Sequence, residues 1–356
     1  MQHMKSQRNS NLELYRIIVM MLIVAHHYVV NSGLIEQMQS STLTANSMFL
    51  YLFGMWGKTG INCFVLITGY FMCKSQTTII KFLKLLFEIM FYKVVIYLIF
   101  VLSGVVAFTF TGFARACIPI SNVGVGFGTA FILFYLFIPF INVLISHIDK
   151  SMHQRLILLS LFIYTLWYML PWFSVSYNYV TWFIVLYLIS SYIRLYPFTK
   201  LTNKHWGYIT LLLVCISSIS VIVLKRLGYN NPYLLVSDSN AILALLTSIS
   251  SFMYFKELKI RQSRFINNVA ASCFGVLLIH ANSNAMRQWL WKDTLHNVDY
   301  LESSYCFLHA IVSVLIIYIV CTLLDMLRIR FIERPFFKSK FYCLVEQKTN
   351  KLLRLI

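Results

Sequence analysis

Again and again this chain runs for about twenty residues with few charges or none, a length that spans a bilayer core of roughly 30 Å as a helix. These apolar runs lie at about 12–31, 48–73, 82–104, 127–147, 155–173, 178–197, 206–224, 234–255, 266–290 and 304–327. The fold expected is all-α: a polytopic membrane protein with about ten transmembrane helices in one bundle. Short connections make residues 1–356 a single transmembrane domain, with a basic tail at 328–356. The runs are continuous rather than alternating, which argues against a membrane β-barrel. Composition agrees: 59% of the residues are hydrophobic and 12% charged, with a mean hydropathy of +0.72. No soluble globular domain has this balance. The first run is long, begins with charges and is followed by no small-residue cleavage site, so it reads as a retained span.

The net charge of +18 does not point to nucleic acid, because the basic residues sit in short loops between the apolar runs. With the N-terminus cytoplasmic, 22 of the 30 Lys and Arg fall on the inner side and five on the outer. Arg16, Lys58 and Lys93 lie within spans. By the positive-inside rule both termini are cytoplasmic, and membrane lipid is the surrounding partner. The eight cysteines form no CxxC pair and mostly sit in apolar runs, so they read as packing residues with no metal site and no disulfide framework. The seven tryptophans mostly flank spans, as an interfacial belt does.

Against this apolar background the ionisable residues stand out, since such groups within a span are costly and usually mark function. The first span, ELYRIIVMMLIVAHHY, carries Arg16 and, eleven positions later, His27. Eleven residues are three turns plus about 20°, so the two share one helix face, roughly 16 Å apart along the axis. His26 points about 100° away. A second intramembrane histidine, His280, lies in FGVLLIHANSNAMRQW, about fourteen residues or roughly 21 Å from the inner end of the ninth span. His27 and His280 are therefore expected at similar depth in the outer half, with Asn31, Asn282, Asn284 and Arg287 close by. His309 either joins them or faces solvent. Neutral histidines and amides at one depth suit binding and deprotonating a polyol hydroxyl, and suit a metal less.

Arg16 reads in two ways: an interfacial pair with Glu13, or an anchor for phosphate oxygens through its forked guanidinium. Lys74, Lys81 and Lys84 add positive charge beside it if the first two inner loops are neighbours. Residues 57–60, GKTG, interrupt the second run; their glycines permit a bend and Lys58 needs a partner or water. The stretch 57–71 carries glycines and small residues that allow close backbone approach. Glu88 and Lys93 read as structural ion-pair residues, partnered with each other or with other helices, and Asp325 as a partner of Arg328 or Arg330. Residues 104–128 form either a lid or a loop.

These residues resemble the acyltransferase-3 family of bacterial integral-membrane acyltransferases. The family's first helix carries an arginine, ten residues, then a histidine, here Arg16 and His27. GINCFVLITGYF resembles its second-helix segment, with Thr68 where serine is usual. FIPFIN at 137–142, WFIVLYLISSYIRLY at 182–196 and FGVLLIH at 274–280 extend the similarity in order along the chain. The resemblance implies a stand-alone O-acyltransferase of the bacterial cytoplasmic membrane, without a fused extracellular domain. It would move an acyl group, usually acetyl, from cytoplasmic acyl-CoA to a hydroxyl of a cell-surface or lipid-linked glycan. His27 would be essential and Arg16 would support it, while His280 falls in a recurring segment. On this reading His27 and His280 are the catalytic candidates. Arg16, Lys74, Lys81 and Lys84 would bind acyl-CoA, no metal is needed, and Asn62 and Asn282 are candidate oxyanion donors. The competing class is a transporter or flippase for a lipid-linked sugar.

Overall fold

The computed structural model describes residues 8–339, apart from 76, 119, 121–125, 171, 173, 174, 176, 177 and 199. Among the described residues every regular element is helical. The chain opens with α1 (Ser10–Val30), α2 (Leu34–Ser40), α3 (Ala45–Gly54) and α4 (Gly57–Met72). It continues with α5 (Ile79–Leu102), α6 (Phe110–Cys117), α7 (Phe127–His147), α8 (Lys150–Leu161) and α9 (Tyr179–Leu195). Then come α10 (Asn203–Arg226), α11 (Ile242–Glu257), α12 (Arg264–Ala271), α13 (Cys273–His280) and α14 (Asn284–Gln288). The last two are α15 (Cys306–Arg328) and α16 (Arg334–Lys338). Oxygen-bearing side chains start several of them by taking an otherwise unpartnered backbone N–H. Asp149 accepts from Met152 N at 2.7 Å, Asn178 from Thr181 N at 3.0 Å, and Ser283 from Met286 N at 3.1 Å.

The arrangement is inside-out relative to a water-soluble bundle. The segment Asn203–Arg226 has a mean hydropathy of 2.4, yet only 11% of its most apolar window is buried. Ala45–Met72 has a mean hydropathy of 1.3 and 72% burial. Leu211, Leu212 and Ile219 of α10, and Ile316, Ile319, Leu323 and Leu324 of α15, face outward. Water would penalise that surface heavily, and lipid does not. Six helices are long and apolar enough to cross a membrane, or seven if one bent pair counts as a span. The chain thus has the helices of a multi-pass membrane protein.

Each of the ten expected spans contains helix, but four depart from a plain crossing. The 155–173 run is α8 continued by a π-helical turn, Phe162–Trp167. The 178–197 run gives the 17-residue α9. The 234–255 run yields only the 16-residue α11, because residues 234–241 fold as turns. The 266–290 run breaks after His280 and bends by 93° between Arg264–His280 and Asn284–Thr294. Of the 104–128 stretch, α6 is described, while 119 and 121–125 lie outside the described residues. So do 340–356 of the basic tail.

At the centre α4 packs against α1, α9 and α11. Small residues make this possible. A Cβ on Gly60 would come within 2.8 Å of Ile23 Cγ1, and a Cβ on Gly57 would run into the His26 ring. The break between α3 and α4 falls at residues 55 and 56, immediately before the GKTG segment. Two tryptophans depart from the interfacial-belt reading: Trp182 and Trp291 are fully buried. Glu88 does not pair with Lys93. It meets Arg328 at 3.1 Å, and Arg328 also holds Asp325 at 2.8 Å and Glu333 at 2.7 Å. Arg328 is therefore a buried bolt between α5 and α15 rather than part of an exposed tail. One guanidinium, with five donors, can satisfy several carboxylates in a way that a lysine cannot.

Candidate functional site: a histidine pair on a cationic cavity

α1 is continuous from Ser10 to Val30, so Arg16 and His27 do share one rigid element. Its first turn is pinned: Ser10 Oγ donates to Asn267 Oδ1 at 3.0 Å and accepts from Ser263 N at 2.9 Å. Near its other end, Asn297 Nδ2 donates to the Tyr28 carbonyl at 2.9 Å. These ties fix α1 to α12 at one end and to the turn at Asn297 at the other, and α1 packs on α13 between them, with His27 beside the end of α13.

There His27 Nδ1 lies 2.8 Å from His280 Nε2. The remaining His280 nitrogen, Nδ1, lies 2.6 Å from the Val276 carbonyl oxygen one turn earlier. A carbonyl can only accept, so Nδ1 of His280 carries the proton and, in the neutral ring, Nε2 is an acceptor. His27 Nδ1–H therefore donates to it, and His27 Nε2 is left with its lone pair. One backbone carbonyl thus sets the tautomers of two rings in series. Among the described residues, no side chain or carbonyl hydrogen-bonds His27 Nε2.

His27 lines a cavity of about 510 Å³. Its wall is assembled from α1 (Ile23, His26, His27), α4 (Gly57, Lys58, Ile61), α5 (Ile89, Lys93) and the start of α7 (Phe127, Gly128, Thr129). Gly126, Tyr179 of α9, Leu277 and Leu278 of α13, the bend at 281–283, and Asn284 and Arg287 of α14 complete it. His280 is fully buried and does not line the cavity. It meets His27 on the side away from the cavity. His26 comes closer to the site than its angular offset predicts. Its ring is also in the wall, fixed by Nδ1–H donation to the Gly54 carbonyl at 2.5 Å. The absent side chain of Gly57 is what leaves room for that ring.

Asn282 lines the cavity, with Nδ2 donating to the Leu278 carbonyl at 3.0 Å. Asn62, the other candidate donor, does not line the cavity: it is fully buried, gives its N–H to the Ser239 carbonyl at 2.6 Å and accepts from Trp182 Nε1 at 2.9 Å. Its amide ties α4 to α9 and to the turns before α11. His309 stays outside the histidine pair. It hydrogen-bonds Tyr28 OH at 2.7 Å and stacks on Tyr300 at 3.7 Å, beside a separate cleft. Arg16 bonds Glu13 at 3.0 Å, as the interfacial-pair reading has it, with its guanidinium 5.8 Å from the Phe64 ring centre. Its buried Nε has no hydrogen-bond partner. Lys74 lines a shallow depression with Asn142 at the turn after α4, and Lys84 lies over the Phe337 ring. Lys81 is exposed on the first turn of α5. Arg16, Lys74, Lys81 and Lys84 do not line the cavity at His27.

Lys93 lines the cavity, where the sequence pointed to a structural ion pair with Glu88 or with another helix. Sequence reasoning missed Tyr179, whose hydroxyl accepts from Lys58 Nζ at 2.6 Å. Lys93 had a usable signal, since it is the only lysine in the middle of the third run. An aromatic at a span end carries none.

No protein-family model matches this sequence. No curated protein and no solved structure shows significant similarity to it.

Proposed function

We propose that this chain is a membrane O-acyltransferase, and that its likeness to the acyltransferase-3 family in the first helix reflects shared chemistry. The observation that carries the reading is the carbonyl-oriented His280–His27 pair, with the His27 Nε2 lone pair open to a cavity large enough for a sugar hydroxyl and a thioester together. In the proposed reaction His27 Nε2 takes the proton of an acceptor hydroxyl. The alkoxide oxygen bonds to the thioester carbonyl carbon, the C–S bond breaks, and the departing CoA thiolate takes the proton back from His27. His280 stabilises the transient imidazolium through the 2.8 Å contact. Asn282 and Lys58 both line the cavity and would receive the developing oxyanion in this reaction.

On this reading the helices make ten crossings with both termini in the cytoplasm of a bacterial cell, in its inner membrane. Acyl-CoA stays at the basic inner face, where Arg16, Lys74, Lys81 and Lys84 attract its phosphates, and its pantetheine arm covers the roughly 16 Å to His27. The acceptor is a cell-surface or lipid-linked glycan.

A transporter or flippase for a lipid-linked sugar is the second reading. The 93° break beside the cavity favours it, since broken helices at the midplane are common in such proteins. One experiment separates the two: mass spectrometry of the surface glycan with wild-type protein, with none, and with His27→Ala. Loss of an acyl mass in His27→Ala, at normal protein level and normal glycan amount, supports the enzyme. Loss of rate by about 10²–10⁴ is expected when a general base is removed. A fully acylated glycan in His27→Ala refutes the mechanism, and a reduced amount of exported glycan with its acyl groups intact selects the transporter.

A further inference from the structure

The charge of the cavity wall is one-sided. Lys58, Lys93 and Arg287 all line it, and no aspartate or glutamate does so among the described residues. None of the three has a carboxylate within ion-pair distance among the described residues. The contacts they do make are neutral. Lys58 Nζ bonds the Tyr179 hydroxyl at 2.6 Å, and Arg287 reaches Asn284 Oδ1 at 3.3 Å and the Ala281 carbonyl at 3.5 Å. Arg287 Nε is buried with no hydrogen-bond partner. The nearest carboxylate along α5, Glu88, is held by Arg328. A fourth positive contribution comes from the 21-residue α7, whose first turn faces the cavity. Its N-cap is Gly126, with no side-chain cap, so the positive end of the helix dipole is unneutralised by its own cap. Collecting uncompensated cations at membrane depth is costly unless something negative joins them.

We infer that the acceptor reaches His27 carrying an anionic group, held between Lys58 of α4, Lys93 of α5 and Arg287 beyond the bend. The inference rests on the acyl-transfer reading of the same cavity. The shared chemistry is an anionic oxygen, either an acidic group on the sugar or the pyrophosphate of a lipid carrier. His27 sits on the same wall, so an anion fixed by the three cations orients a neighbouring hydroxyl toward Nε2. The same field stabilises the oxyanion formed on the thioester carbon.

The test uses full-length protein in lipid nanodiscs and two matched pairs of probes: farnesyl pyrophosphate against farnesol, and digalacturonic acid against its neutral disaccharide. Binding is followed by intrinsic tryptophan fluorescence. One anionic probe should bind at least about tenfold more tightly than its neutral partner, and the preference should shrink with added salt. The pair that shows it identifies the source of the anion. Lys93→Met and Arg287→Met should each weaken that probe by about tenfold to a hundredfold, while Lys93→Arg retains it and shows that the site still folds. Equal binding of both members in both pairs overturns the inference. So does anionic preference that survives Lys93→Met and Arg287→Met, or displacement of the probe by CoA, which would assign the cations to the donor. His27→Ala should keep the anionic preference. That preference in a protein that acylates no glycan leaves the anion site standing and removes only the acyl-transfer reading.

Discussion

Replacing His280 with alanine tests the relay most directly, because it touches neither substrate nor cavity wall. The substitution removes the acceptor that holds His27 Nδ1–H at 2.8 Å. Two losses follow. First, the His27 ring can exchange tautomers and flip, so about one of four arrangements still presents a lone pair to the cavity. Second, the imidazolium formed as the hydroxyl proton arrives loses a charge-assisted hydrogen bond worth about 1.5–3 kcal/mol, or roughly tenfold to a hundredfold in rate. Together kcat should fall on the order of 10², less than for loss of His27 itself. The KM for acyl-CoA should hold, since the proposed reading places the donor phosphates at the inner face, away from His280. His280→Gln keeps an acceptor on a side chain of similar reach and should recover part of the rate, which a merely space-filling role would not predict. The assay is initial-rate transfer from radiolabelled acetyl-CoA in membranes, normalised to protein level. A kcat within about threefold of wild type in His280→Ala, at unchanged abundance, refutes the orienting role.

Gly57→Ala should lower activity and abundance, because its methyl group collides with the His26 ring and overpacking costs about 1–3 kcal/mol. Adding His26→Ala should restore abundance, and a double-mutant cycle in protein yield with no coupling would break the argument. Arg16→Ala should raise the KM for acyl-CoA by about tenfold to a hundredfold, with Arg16→Lys also impaired because the forked geometry is lost. Normal acyl-CoA dependence in both variants would leave Arg16 as an interfacial partner of Glu13 alone. Reporter fusions after Lys150 and Lys259 should give cytoplasmic signals and one at Asp299 an external signal. An external signal at Lys259 would overturn the ten-crossing topology.

Much of this protein is local and therefore legible in the chain. Apolar runs of membrane length dictate helices, since a backbone in lipid must satisfy its hydrogen bonds within the segment. The shared face of Arg16 and His27 follows from helical pitch. The Gly57 and Gly60 spacing announces a close approach, although not that an imidazole occupies the space at Gly57. Depth counting placed His27 and His280 at one level, because rise per residue is constant along a helix. Contact between them, and the tautomer that the Val276 carbonyl imposes, depend on how α1 and α13 pack across 253 residues of sequence separation. Partner choice was equally illegible where one residue type had two plausible mates. Glu88 took Arg328 instead of Lys93, and Asn62 spent both ends of its amide on α9 and the Ser239 carbonyl. The cationic cavity itself draws on seven helices and the bend between two of them, no two wall cations from one helix. Helical period fixes which residues share a face, but only the packing of distant faces decides which of them meet.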